Sequence, residues 1–180
     1  LQQDRQVKMM AKSIETKVSS ALKEMLEKDR EGYEKFFDNF GLNLKAGILA
    51  DYGLNKDKLQ DFMIFRSSNE GKYVTLKEYV DRMKDDQKAI YYAIGKSVDE
   101  IQNLPAMGKL KEKGYEVLYF LDERDEFVAN TLMNYAEKPF QSVNKGDLDL
   151  ESDEEKKTRE EKAEANKDLL TTMKDSLGDK

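Results

Sequence analysis

The sequence predicts an α/β fold: an N-terminal helical coil, a small αβα subdomain, and a charged C-terminal helix. Three observations predict it. Short apolar runs at 89–94 (AIYYAI), 115–121 (YEVLYFL) and 140–143 (FQSV) are separated by charged stretches of helical period. Runs this short, rich in aromatic and branched side chains and joined by amphipathic segments, read as parallel strands with crossovers. They make a βαβαβ unit with a three-stranded parallel sheet and helices on both faces. Residues 1–70 instead carry apolar positions three and four apart, interrupted only briefly, which is the pattern of packed helices. From Glu151 the chain is almost wholly Glu, Lys, Asp, Arg and Ala until Leu169, Leu170, Met173 and Leu177. Mixed-sign charge at helical spacing without an apolar stripe reads as an exposed helix. The expected division is 1–70 helical coil, 71–148 αβα subdomain, and 149–180 linker helix.

The elements follow in order. Val7, Met10, Ile14, Val18, Ala21, Leu22, Met25 and Leu26 mark a long amphipathic helix over 2–28. Tyr33, Phe36, Phe37 and Phe40 mark a second helix ending near Gly41, and Leu44, Ile48 and Leu49 a third, closed around Gly53. Leu59, Phe62, Met63 and Phe65 suggest a fourth, stopped by the SSNEG turn. At this spacing the aromatics of 33–65 are expected in the core. Thr75 with Glu78, and Ser97 with Glu100, have capping-box spacing and open the helices LKEYVDRM and VDEIQNL. Pro105 breaks the latter, and a short helix (AMGKLKEK) precedes the second strand. A crossover helix runs over 122–135, and Lys138-Pro139 leads into the third strand.

Composition excludes much chemistry. The chain has no Cys and no His in 180 residues. Disulfides, thiolate nucleophiles, Cys-based metal sites and the usual general base are therefore absent. An enzyme here would have to run on carboxylates, Lys, Tyr or Ser. A formal net charge of -6 opposes a nucleic-acid surface, which needs clustered Lys and Arg. No charge-free run approaches a bilayer span and no signal-peptide pattern opens the chain, so no membrane partner and a soluble, cytoplasmic protein are expected. The chain opens on Leu1 rather than Met and is expected to be a piece of something longer.

Three places invite a functional reading. Gly95-Lys96-Ser97 follows a strand and precedes a helix, as a phosphate loop would. A phosphate loop needs GxxxxGK[ST], however, and the first glycine position is Ile90. Gly95 reads better as a strand-ending turn and Ser97 as an N-cap. Asp122, Glu123, Asp125 and Glu126 stand at the end of the second strand, where α/β sheets place ligands and where paired carboxylates could hold Mg²⁺. Acids also suit the first turn of any helix, and no other ligand-rich motif accompanies them, so no metal site is expected. Phe127 is more informative. On a helical wheel Val128, Thr131, Leu132 and Tyr135 share the arc that should cover the sheet. Phe127 falls off that arc toward Asn130 and Asn134, with Glu126 and Met133 beyond. An aromatic side chain among amides and carboxylates reads as a contact point for another protein.

The motifs TLKEYVDRMKDDQKAIYYAIGKS, GYEVLYFLDERDEF and KPFQSV, in this order, resemble the middle domain of the heat shock protein 90 family. KPFQSV and the opening LQQDRQVK look most like the bacterial branch. The resemblance extends over essentially the whole chain. It implies the later part of that domain and the helix leading into a C-terminal dimerisation domain. It also implies an ATP-dependent chaperone as parent, with ATP and Mg²⁺ bound in an N-terminal domain and none in this stretch, which is expected to be non-catalytic. Gln2 matches the family glutamine that assists an upstream arginine at the ATP γ-phosphate; that arginine precedes Leu1. The bacterial client-contact motif Asp-Glu-Trp-x-x-Asn falls on Asp125, Glu126, Phe127 and Asn130, with Phe in place of Trp. Client-binding residues are therefore expected at Glu126, Phe127 and Asn130. The implied partners are non-native client proteins and other chaperones, in a homodimeric parent whose self-association lies beyond Lys180; this chain is expected to be a monomer. The competing reading is an autonomous α/β ligand-binding or phosphotransfer domain using Gly95-Lys96-Ser97 or the acidic loop 122–126.

Overall fold

The structure is a computed structural model that describes residues 5–145 and Leu148, apart from the Asp51 side chain. Gln2 and the predicted helix of 149–180 lie outside the described residues.

Helix α1 (Arg5–Lys28) buries only Leu22, with Met25 and Leu26 packed on the core. Its remaining apolar stripe, Val7, Met10, Ile14 and Val18, is exposed. Asp29 then caps α2 (Arg30–Leu49), accepting from the Gly32 amide at 3.0 Å. Helix α2 is continuous where two helices were expected. Gly41 does not end it: a Cβ there would lie 2.9 Å from the Phe37 ring, so glycine fits a close approach inside the helix. A 3-10 turn (Ala50–Gly53), the short α3 (Lys56–Leu59) and a second 3-10 turn (Gln60–Phe62) follow.

The expected fourth helix is overturned. Ile64–Ser67 is strand β1, paired antiparallel with β2 (Tyr73–Thr75) across the 68–72 turn. Phe62, Met63 and Phe65 imitate helical spacing, but 62–65 is one unbroken apolar run. Such a run fits a doubly buried strand end equally well, and long-range pairing decides between the two. The aromatics of 33–65 divide likewise. Tyr33, Phe37, Phe62 and Phe65 are buried, but Phe40 and Tyr52 are exposed, contrary to expectation.

Strands β3 (Ile90–Ile94), β4 (Val117–Phe120) and β6 (Lys138–Ser142) are the three predicted strands, and β4–β3–β6 run parallel to one another. The sheet as a whole is mixed, not purely parallel. It has six strands in the order β2-β1-β4-β3-β6-β5, with β1 antiparallel to β4 and β5 (Asn134–Tyr135) antiparallel to β6. Period-two alternation sends Ile90, Tyr92, Leu118 and Phe120 to the main core shared with α2. Tyr91, Ala93, Val117 and Tyr119 are buried on the other face. There α5 (Val98–Gln102) and α6 (Pro105–Lys113) supply buried Ile101, Met107 and Leu110.

Caps fix the connections. Thr75 and Glu78 form a reciprocal capping box at α4 (Leu76–Asp81), at 3.1 and 2.7 Å. At α5 only half the predicted box forms: Ser97 Oγ accepts from the Glu100 amide, while the Glu100 carboxylate accepts from the Lys96 amide. Arg30 ties α2 to the sheet edge, donating to Glu78 at 3.0 Å and to the Tyr73 carbonyl at 2.8 Å. The buried Tyr33 hydroxyl donates to the Phe62 carbonyl at 2.6 Å.

Candidate functional site

Helix α7 (Glu123–Leu132) carries every residue that both the wheel and the resemblance single out. It starts at Asp122, whose carboxylate accepts from the Arg124 amide at 2.9 Å, while the Asp122 amide donates to Asp125. Glu123, Asp125 and Glu126 in its first turn complement the helix dipole. It ends earlier than predicted. Met133 has φ 65, and Asn134–Tyr135 leaves the helix to pair with β6 through a turn at Ala136 (φ 47) and Glu137 (φ 63). The polar signals at 133–137 are weak. A hairpin turn made by Ala-Glu instead of Asn-Gly hides the strand from its sequence.

The two faces of α7 differ sharply. Asp125, Val128, Ala129 and Leu132 are buried. Thr131 is half-buried against the 3-10 turn, where a Cβ on Gly53 would lie 2.8 Å from Thr131 Cγ2. Tyr135, placed on this arc by the wheel, sits on β5 and donates to Asp61 at 2.7 Å. On the outer side Phe127 is 60% exposed. Asn130 is exposed, and Glu126 is half-buried with Lys145 Nζ at 3.6 Å. A shallow recess beside Phe127 is lined by Leu121, Asp122, Glu123 and Arg124. The exposed apolar side chains of Leu121 and Met133 lie just before and just after the helix.

Beneath α7 lies a residue that sequence reasoning missed. Lys45 of α2 is buried, with Nζ 2.5 Å from Asp125 Oδ1, 3.8 Å from Asp122 Oδ2 and 5.9 Å from the Phe37 ring centroid. Asp125, part of the matched contact motif, therefore points inward. Burial pushes its carboxyl pKa up, and the Lys45 ammonium only partly opposes that. A signal was present: Phe37, Gly41, Lys45 and Ile48 share the buried stripe of α2, and a lysine on such a stripe demands an acid.

Of the acids at 122–126, Asp122 and Asp125 share the Lys45 ammonium, while Glu126 faces Lys145. Among the described residues no group of three or more His, Cys, Asp or Glu could hold an ion. At Gly95-Lys96-Ser97 the Lys96 amide and the Ser97 hydroxyl are engaged by the α5 cap, and the Gly95 amide donates to the Phe120 carbonyl at 3.2 Å. The Gly95 and Lys96 amides are thus engaged within the protein rather than turned to a phosphate. A separate open cleft of about 760 Å³, not anticipated from sequence, lies between α6 and the start of β4. Its most prominent charge, Arg82, is already held by both Glu116 oxygens at 3.0 Å.

The family model for "Hsp90 protein" matches residues 1–180. The chain belongs to the Hsp90 family. It is 51% identical over its full length to the chaperone protein HtpG of Clostridium botulinum, and 49% identical to HtpG of Bacillus subtilis. It spans 29% of the length of each. Among solved structures it resembles the middle domain of a Plasmodium falciparum heat shock protein, with a TM-score of 0.70 and 33% identity. That match covers 80% of this chain and 61% of the other. The fold is accordingly that of an Hsp90 middle domain, from a family of chaperones. Among the described residues no helix is long and apolar enough to cross a membrane.

Proposed function

We propose that this chain is a non-catalytic part of an ATP-dependent chaperone of the HtpG kind, contributing contact with non-native client proteins. The observation that carries the reading is Phe127, an aromatic side chain held in solvent between Glu126 and Asn130 on a helix whose other side is buried. A soluble domain gains nothing in stability from an apolar ring displayed this way, whereas a partner covering it would. Shallow apolar contact with polar surroundings suits clients that must be released again. Phe in place of the family Trp keeps apolar area and gives up the indole N–H.

In this reading ATP and Mg²⁺ are bound by a preceding N-terminal domain, and Gln2 assists there. The coil of 1–70 transmits closure of that domain to the αβα subdomain of 71–148. Residues 149–180 lead on to a dimerisation domain, which makes the parent a cytoplasmic homodimer while this chain alone is a monomer. The test uses the full chain and a permanently unfolded probe, reduced carboxymethylated α-lactalbumin. Phe127→Ala is expected to weaken association roughly ten-fold, as loss of a partly desolvated aromatic anchor does. Unchanged association overturns the surface. Binding of Mg-ATP by this chain in calorimetry, lost on Lys96→Ala, would instead establish the autonomous phosphate-binding domain.

A further inference from the structure

We propose that Lys45 is a positioning residue for the Phe127 surface: gripping Asp125 from the coil, it sets the rotation of α7 that turns Phe127 and Asn130 outward. This rests on the client-surface reading above and adds to it the side chain that holds the surface in place. The geometry is simple. Going round the helix from Asp125, Phe127 lies about 200° away and Asn130 about 140° away. Their mean direction is thus almost diametrically opposite the carboxylate that Lys45 holds. Fixing Asp125 inward fixes Phe127 and Asn130 outward.

Other contacts of α7 do not select that rotation so strictly. The helix has 10 residues. Its buried apolar side chains Val128, Ala129 and Leu132 make non-directional contacts that tolerate a modest roll. Glu126 pairs with Lys145, but that lysine side chain is 73% exposed and the contact is screened by solvent. Lys45 and Asp125 have side chains only 10% and 6% exposed, at 2.5 Å, where the attraction acts at one point of the helix surface and is least screened. The lysine also has little freedom to relocate, with the Phe37 ring at 5.9 Å and Asp122 at 3.8 Å. Because Lys45 belongs to α2, a displacement of the coil reaches α7 through this ion pair, alongside the packing of Thr131 on Gly53 and the Lys56 donation to the Thr131 carbonyl.

The test measures affinity of the full chain for fluorescently labelled reduced carboxymethylated α-lactalbumin. Circular dichroism and urea melts establish that each variant is folded at the assay temperature. Lys45→Met is expected to weaken binding about five-fold, and Lys45→Arg, which keeps charge and donors, to restore most of it. Should Lys45→Met fail to fold, Lys45→Met/Asp125→Leu substitutes an apolar pair without the localised charge contact, and a similar five-fold loss is expected. The decisive comparison is Lys45→Met/Phe127→Ala. If Lys45 acts through Phe127, the double variant binds no more weakly than Phe127→Ala alone. Folded lysine variants that bind like the parent chain while Phe127→Ala is weakened overturn the positioning role alone. So do losses that multiply in the double variant. If Phe127→Ala itself has no effect, the client surface fails and this inference fails with it.

Discussion

Replacing Tyr79 by Phe removes one oxygen atom from the junction of α4, β3 and β4. Tyr79 is fully buried. Its hydroxyl donates to the Glu116 carbonyl at 2.6 Å and accepts from the Tyr91 amide at 2.9 Å and from Gln87 Nε2 at 2.9 Å. Phenylalanine fills the same ring volume, so the change is almost purely one of hydrogen bonding. Gln87 keeps a partner in the Ala89 carbonyl at 2.8 Å. The buried Tyr91 N–H and the half-buried Glu116 C=O each lose this partner, and such a loss costs about 1–3 kcal/mol where water does not replace it. The expected loss is about 3 kcal/mol, or a fall in Tm of roughly 6–12 °C for a domain of this size. Urea unfolding followed by circular dichroism should show a lower midpoint with the slope unchanged. Burial holds the Tyr79 phenol far above its ordinary pKa. A raised folded-state value keeps its contribution intact below the unfolded pKa, so the difference between the two proteins should stay flat up to about pH 10. A loss under about 1 kcal/mol would refute the reasoning, because it would mean that water reaches these groups as easily as the phenol does.

Two further outcomes follow from local geometry. Ala136 and Glu137 both adopt positive φ in the two-residue turn between β5 and β6, so Ala136→Asn/Glu137→Gly should stabilise the chain by about 1 kcal/mol in urea melts; destabilisation would contradict the turn assignment. The Asp125 carboxyl is pushed up mainly by burial, so the folded state holds its proton more tightly than the unfolded state does. Its contribution is therefore fully present below the unfolded value near about pH 3.9 and is lost as pH rises through the folded value. The stability of the parent relative to Asp125→Asn should thus fall as pH rises above ~4, and a rise instead would show that Lys45 outweighs burial.

The parallel centre of the fold was legible because its strands are short, β3 and β4 are buried on both faces, and cap signals flank them. AIYYAI, YEVLYF and the FQSV segment became β3, β4 and β6, and Thr75 and Ser97 became N-caps. What escaped were the antiparallel strands at the sheet's flanks. Strand β1 is four residues running on from the apolar pair Phe62-Met63, and β5 is two residues before a turn without Asn or Gly. Neither carries enough pattern to separate strand from helix by periodicity, since each is specified by the neighbour it pairs with. The same limit explains α2. Gly41 looks like a stop in sequence, and only the Phe37 ring beside it shows why a glycine belongs inside the helix.

At α7 the wheel separated inner from outer residues correctly for Val128, Leu132, Phe127 and Asn130, because a helix of fixed pitch leaves no other choice once one face meets a sheet. Asp125 is the instructive case. By residue type it belongs with Glu126 among exposed first-turn acids, and by motif it belongs with Phe127 among contact residues. The structure gives it instead to Lys45, which is 80 positions earlier in the numbering and on another helix. No periodicity within α7 encodes that pairing. It requires α2 to present a cation on its buried stripe at the level where α7 presents an anion. A buried charge on either helix alone would cost several kcal/mol, so each demands the other. Motif membership therefore mixes two kinds of residue. Phe127 stands where a partner could touch it, while Asp125, its neighbour two positions away, faces the protein and can affect binding only through the orientation it imposes.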